Sequence, residues 1–275
     1  MLVLLAAVAA EHVLRDIWLN YKEPHVLHRV QHYADHFETH LPPRGSKVRM
    51  LEIGVQSGGS ARTWKQYYGD GLQYVGLDLD PRTYARSRSP SENIEVVIGS
   101  QANATFLLEV CQKHGPFDVI IDDGGHTPQL ITASLRALFP SNACMAPKSV
   151  YVVEDACTMM GSWFSKQASD IYNLAGEAWW SMHARPCKQK PMRPCCLKPM
   201  LDFDGHGAQA HPIYHKYVVG IHLYESLAFF MRGKQEDGIM VKRGTDELPY
   251  NHGLVAHENK RAKGQEEKAK AAGRL

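Results

Sequence analysis

The sequence predicts an α/β fold, a doubly wound, mostly parallel sheet of seven strands that closes with an antiparallel C-terminal hairpin. Three observations predict it. Apolar strand-like runs alternate with helical stretches from VRMLEIGV (48–55) to SVYVVED (149–155), the rhythm of right-handed βαβ units. The runs are nearly continuous in apolar residues, as strands covered on both faces are. In KYVVGIHLYESLAFFMRG (216–233) two further apolar runs flank Tyr224 to Ser226 and read as a hairpin.

Taken in order, EHVLRDIWLNY (11–21) reads as a buried first helix. VLHRVQHYADHFETHL then places apolar residues at helical spacing from His25 to His40, and PPRG at 42–45 closes that segment. The sheet follows as VRMLEIGV, YVGLDL, IEVVIG, FDVIIDD and SVYVVED. The helices between them are SARTWKQYYG, ATFLLEVCQKHG and PQLITASLRALFP. After Asp155 the rhythm breaks, and 159–215 reads as an insertion or lid. It carries Trp163, Trp179, Trp180 and the patch RPCKQKPMRPCCLKPM. The expected organisation is an N-terminal helical segment (1–45), a central domain (46–235) and a polar tail (236–275).

Composition narrows the function classes. With 275 residues, 44% hydrophobic, the chain is long enough for one large domain; its 31 basic and 29 acidic residues nearly cancel to +2. No global field then argues for nucleic acid or an anionic membrane as partner. The start MLVLLAAVAA is too short to span a bilayer and resembles a signal-peptide core, with Ala7 to Ala9 as a cleavage site, but lacks a preceding Lys or Arg. A buried helix is the competing reading, so cytoplasm and secretory pathway both stay open. Of six cysteines, Cys111 and Cys157 read as core or site wall. Cys187, Cys195 and Cys196, with His183 and His206, match no zinc spacing; a disulfide or free thiols in a basic loop remain.

The chemistry is concentrated at strand ends. LEIGVQSGGS (51–60) turns from a strand into a helix through Gly54 and Gly58, the geometry in which backbone approaches a nucleoside closely. Gln56 stands where a dinucleotide fingerprint needs its second glycine, which weakens a nicotinamide reading. Asp78 ends the next strand at the spacing of a ribose-binding carboxylate, with Asp80 competing. Ser100 and Gln101 end the third strand and would lie beside an adenine, whereas Asn103 is doubtful as an adenine contact. Asp122, Asp123 and His126 follow the fourth strand, and Glu154 and Asp155 the fifth. These two ends would open into one crevice, and like charges packed there call for a divalent cation with oxygen ligands, Mg²⁺, Ca²⁺ or Mn²⁺.

The pattern E-x-G-x-x-x-G resembles the first motif of the class I methyltransferases, which share a Rossmann-like fold. Together LEIGVQSGGS, VGLDLDP, IIDDGGH and VYVVED are similar to the metal-dependent O-methyltransferases of macrolide sugars, and to the related cephalosporin hydroxylase and rhamnosyl O-methyltransferase group. The resemblance implies S-adenosylmethionine as cofactor. Its site would comprise Glu52, Gly54, Gly58, Ser60, Asp78, Ser100, Gln101 and Asp122. It also implies Asp123, Glu154 and Asp155 as ligands of Mg²⁺ or another divalent cation, and His126 as base.

The expected reaction is methyl transfer to a hydroxyl of a sugar or glycosylated small molecule, the acceptor itself being unnamed. A cofactor-binding protein without turnover, or an NAD-dependent oxidoreductase, are the alternatives. A homo-oligomer is compatible with the sequence. Two departures from the family stand out: Pro147-Lys148-Ser149 replaces a Pro-Gly-Gly turn, and Ala156-Cys157-Thr158 follows the Glu-Asp pair in place of His or an aromatic.

Overall fold

The computed structural model describes residues 12–156 and 217–234, with residues 267 and 271 besides. The expected signal-like start, the lid 159–215 with its tryptophans and cysteines, and nearly all of the tail lie outside the described residues. The chain divides into two units, 1–236 and 237–275, and the architecture below belongs to the first.

The seven strands are β1 (Val48–Ile53), β2 (Leu72–Asp78), β3 (Ile94–Ile98), β4 (Phe117–Asp122), β5 (Met145–Glu154), β6 (Val218–Tyr224) and β7 (Leu227–Arg232). They form one sheet in the order β3-β2-β1-β4-β5-β7-β6. Strands β1 to β5 run parallel, while β7 pairs antiparallel with both β5 and β6. The helices are α1 (Val13–Leu19), α2 (Tyr33–His40), α3 (Gly59–Tyr68), α4 (Arg82–Ser87), α5 (Ala104–His114) and α6 (Pro128–Leu138). This is the Rossmann-like, mostly parallel sheet with a C-terminal hairpin that the alternating pattern predicts.

Alternation along the strands fills two separate cores. Leu51, Ile53, Val75, Leu77, Ile120, Tyr151 and Val153 face one side, where they pack with Leu107 and Val110 of α5 and Ile131 and Leu135 of α6. Met50, Tyr74, Val119, Ile121, Val150 and Val152 face the other, with Leu14, Phe37 and Trp64 of α1, α2 and α3. A sheet buried on both faces needs strands apolar at every position, which is why their sequences do not alternate. Helix starts are sealed locally: Asn103 accepts the Phe106 N–H at 3.1 Å and Thr127 the Leu130 N–H at 3.3 Å, satisfying amides that no helical turn can reach.

Two local expectations are corrected. Helix α2 begins at Tyr33, not near His25, and residues 25–30 have no regular secondary structure. Val26 and Val30, counted toward an apolar helical face, are exposed. Pro147-Lys148-Ser149 makes no tight turn before the strand but lies inside β5, where the pairing with β4 shifts register. There the Ser149 hydroxyl donates to the Ala146 carbonyl at 2.7 Å. Cys111, read as core or site wall, lies in the core, where it is joined to Cys144 in a buried disulfide.

Candidate active site

Strand order reverses between β1 and β4, the place where an open α/β sheet leaves a crevice at its carboxyl edge. A cleft of about 690 Å³ opens there. Its walls are built by the loop after β1, the ends of β2 and β3, the loop after β4, Asp155 after β5, and the irregular segment ahead of α2.

The loop after β1 is shaped by contact. Gly54 has a φ of +93°, and a Cβ on it would lie 2.1 Å from the Asp123 carbonyl oxygen, so only glycine lets the β1 and β4 loops meet. Gly59 touches the Val26 carbonyl in the same way, where a Cβ would lie at 2.3 Å. Asp78 Oδ2 accepts the backbone N–H groups of Val55 and Gln56, each at 2.9 Å, and Oδ1 accepts that of Asp80 at 2.8 Å. The Asp80 carboxylate, also at the cleft wall, is taken up in a pair with the exposed Arg82, which holds it down at about 2. Of the two candidates for the second strand end, Asp78 is the one built into the loop.

Gln101 links the third strand end to the fourth. Its Oε1 accepts the Gly125 N–H at 2.8 Å and its Nε2 donates to Asp122 Oδ1 at 3.0 Å. Asp122 is itself buried beneath the cleft, and also accepts from the hydroxyls of Ser134 and Tyr151. Burial raises its carboxyl above the ordinary range, and those hydrogen bonds oppose the shift.

Asp123, His126 and Asp155 each bring one ligand atom to within 4.8 Å of the others. His126 and Asp155 hold φ values of 47° and 51°, in the left-handed region that non-glycine residues enter at a cost and mostly at functional positions. Tyr33 donates to Asp155 Oδ1 at 2.9 Å. Burial pushes the Asp123 carboxyl up to about 6, with Arg29 pulling the other way.

Thus Gly54, Ser60, Asp78, Ser100, Gln101, Asp123, His126 and Asp155 line one cleft. Glu52, Asp122 and Glu154 lie buried beneath it, and Gly58 is outside its wall, with its Cα against Ser87. Sequence reasoning missed Arg29. Its side chain is 3% exposed, and it donates to Glu52, Ser60, Asp123 and Glu154 at once. Glu52 also receives the Tyr74 hydroxyl at 2.5 Å. The only signal for Arg29 was indirect: buried acids demand a partner, but its segment read as an ordinary helix.

A second group of ligand atoms, from Glu52, Asp123 and Glu154, is also within 4.8 Å. Three carboxylates, Glu52, Asp123 and Glu154, meet the guanidinium of Arg29, and Asp155 joins the cluster beside Asp123 and His126. Glu154 Oε1 is buried with no hydrogen-bond partner among the described residues, and a bare interior acceptor costs on the order of 1–3 kcal/mol. Excess anionic charge, all-oxygen donors and one bare carboxylate oxygen fit a hard divalent cation.

The cleft and the sheet define a class I methyltransferase fold. No protein-family model matches the chain. In sequence the chain is similar to demethylmacrocin O-methyltransferase of Streptomyces fradiae, 31% identical over 224 residues, covering 75% of this chain and 49% of that protein. It is equally similar, at 31% over 220 residues, to mycinamicin VI 2''-O-methyltransferase of Micromonospora griseorubida, covering 75% of this chain and 48% of the relative. The chain therefore spans about half the length of the curated relatives it matches. Among solved structures, the MycE methyltransferase of the mycinamycin biosynthetic pathway, in complex with Mg, SAH and mycinamycin VI, superposes with a TM-score of 0.62 at 23% identity, covering 90% of this chain and 59% of that one. The resemblance read from the motifs is thus matched in overall sequence, and the predicted fold in structure.

Proposed function

We propose that the chain binds S-adenosylmethionine and a divalent cation, Mg²⁺ being the reading its relatives support, and transfers a methyl group to a hydroxyl of a sugar or glycosylated small molecule. One observation carries this: the glycine loop and the Asp123–His126–Asp155 cluster face the same cleft. S-adenosylmethionine supplies the methyl group, and the cation supplies positive charge that lowers the cost of ionising an otherwise weakly acidic hydroxyl.

The residues of the chain take distinct parts. Gly54 lets the loop come close, and Asp78 pins that loop while its carboxylate faces the ribose position. Gln101, oriented by buried Asp122, presents a fixed amide toward the adenine side. Asp123 and Asp155, with Glu154 behind them, would hold the cation. His126 is positioned to accept the hydroxyl proton, its Nε2 lying 3.9 Å from Asp123 Oδ1. Holding an acceptor in line with the methyl donor would supply much of the rate.

Calorimetry with S-adenosylhomocysteine, followed by single-turnover transfer from labelled S-adenosylmethionine to a panel of glycosides with and without EDTA, tests the proposal. Absence of cofactor binding at millimolar concentration removes it. Binding without transfer leaves a cofactor-binding protein, and transfer unaffected by EDTA removes the cation alone.

A further inference from the structure

Arg29 stands on oxygens that the proposed function gives to the cation. Its Nη1 donates to Asp123 Oδ2 at 2.7 Å and to Glu154 Oε2 at 2.5 Å, while Nη2 donates to Glu52 and the Ser60 hydroxyl. Four of its five N–H groups are therefore engaged, and the fifth, on Nε, is buried without a partner among the described residues. Asp155, by contrast, is engaged by a neutral hydroxyl, that of Tyr33.

A guanidinium and a divalent ion repel at the distances over which they could share Glu154 and Asp123. The carboxylates closest to Arg29 are thus already half neutralised, whereas Asp123, His126 and Asp155 form a second group of donor atoms opening on the cleft.

Arg29 belongs to the irregular stretch 25–32, where the His25 ring meets the Arg86 carbonyl at 3.2 Å, the Val26 carbonyl rests on Gly59 at the start of α3, Leu27 packs on the core and the His32 ring meets Tyr33. Val26 and Val30 are exposed and add little apolar anchorage. The strap is thus tied to the core by the apolar contact of Leu27 and by the charge of Arg29.

We propose that Arg29 is a built-in competitor of the divalent cation: it holds Glu154 and one oxygen of Asp123, and a cation bound through Glu154 draws the guanidinium and the 25–32 strap away from the acids. Cation affinity and the position of the strap are then two sides of one equilibrium. The inference rests on the reading of this cluster as a cation site and adds the group that regulates its occupation.

The probe is Mn²⁺, followed by the electron paramagnetic resonance of the free ion, on the intact chain and its Arg29→Gln and Arg29→Lys variants. Arg29→Gln keeps donors but removes charge and is expected to bind Mn²⁺ at least tenfold more tightly, whereas Arg29→Lys stays within about threefold of the parent. Equal or weaker binding by Arg29→Gln overturns the competition and makes Arg29 a permanent support. Failure of all three proteins to bind millimolar Mn²⁺ removes the cation reading itself, and with it this inference.

Should Arg29→Gln not fold, hydrogen exchange on the parent chain decides. Amides of residues 25–32 are expected to exchange faster when Mn²⁺ is added, and unchanged or slower exchange overturns the proposal.

Discussion

The Tyr33 hydroxyl donates to Asp155 Oδ1 at 2.9 Å, reaching from the first turn of α2 to the carboxylate that follows β5. The same hydroxyl lies 3.3 Å from the Ser226 carbonyl, which shares the hydroxyl's one proton with Asp155, so one phenol ties a proposed ligand to the turn of the C-terminal hairpin. Its pKa is raised far above the ordinary range, first by burial and then by Asp155, so it is a donor at every working pH. Removing the hydroxyl while keeping the buried ring isolates that donation. Tyr33→Phe should fold normally and lose about 1–2 kcal/mol of orientation at Asp155, read as a roughly five- to thirtyfold weaker Mn²⁺ affinity. Unaltered affinity would show that Asp155 is held by its backbone alone.

Asp78 gives a second, separable test. Because it accepts from Val55, Gln56 and Asp80 backbone N–H groups, it shapes the cofactor loop whether or not it also meets a ribose. Charge-assisted bonds of this kind are worth roughly 1.5–3 kcal/mol. Asp78→Ala should weaken S-adenosylhomocysteine binding by tenfold or more in calorimetry. Asp80→Asn, altering an exposed carboxylate paired with Arg82, should leave it within about twofold. Equal losses at both positions would refute this assignment.

Two glycines of positive φ separate backbone strain from collision. Gly45 has a φ of +74° and open space where a Cβ would stand, whereas the Cβ of an alanine at Gly54 would meet the Asp123 carbonyl. Gly45→Ala should cost about 1 kcal/mol of unfolding free energy from conformation alone. Gly54→Ala should cost several times more and abolish cofactor binding, since the β1 and β4 loops must part. Denaturant unfolding of the two variants, with equal losses, would sink the argument.

Much of this site was legible because its residues sit at strand ends, where sequence order and spatial order agree. In a parallel sheet with β1 between β2 and β4, residues following Ile53, Asp78 and Asp122 must share one edge, so the motif spacing already implied the cleft. Arg29 was not legible. Val26, Leu27, Val30 and Tyr33 match a helical period, yet the local preference yields to tertiary contact: the Val26 carbonyl packs on Gly59 and the Arg29 guanidinium is drawn to three acids. Nor does a sequence say which acid of an Asp-Asp pair turns inward. Asp122 closes β4 facing the core and Asp123 steps past its end into the cleft, a matter of strand phase that a shift of one residue would reverse. Cys144 carried no signal because a disulfide depends on Cβ directions that spacing does not encode.

The Cys111–Cys144 link fastens α5 to the segment entering β5. It encloses a sequence separation of 33 and is expected to contribute about 2–4 kcal/mol, chiefly by restricting the unfolded chain. Cys111→Ala/Cys144→Ala should therefore unfold at lower urea without a change in cofactor affinity, because neither residue lines the cleft. A parent chain whose urea midpoint is the same with and without reductant would argue that the link contributes no stability.

The docking of α2 on the hairpin predicts a pH dependence of definite sign. His36 stacks on Tyr224 with ring centroids 3.7 Å apart, and His40 lies 4.1 Å from the His222 ring while sharing a hydrogen bond of 2.7 Å with the Tyr224 hydroxyl. Burial lowers the pKa of both helix residues first, His32 and His222 repel their protonated forms, and Asp35 partly offsets this at His36. A histidine whose folded pKa is depressed contributes stability that is full above its unfolded value, about 6.5, and is lost as pH falls toward and through the folded value. The raised carboxyl of Asp123, at about 6, acts with the opposite sign: its burial is least costly in acid. Total stability therefore mixes the two, and the informative quantity is a difference. The thermal midpoint of the parent minus that of His40→Gln should shrink as pH is lowered from about 8 to about 5, because glutamine cannot acquire the charge that the neighbouring imidazoles oppose. A difference constant across that range would overturn the claim that protonation of His40 opposes the α2–hairpin contact.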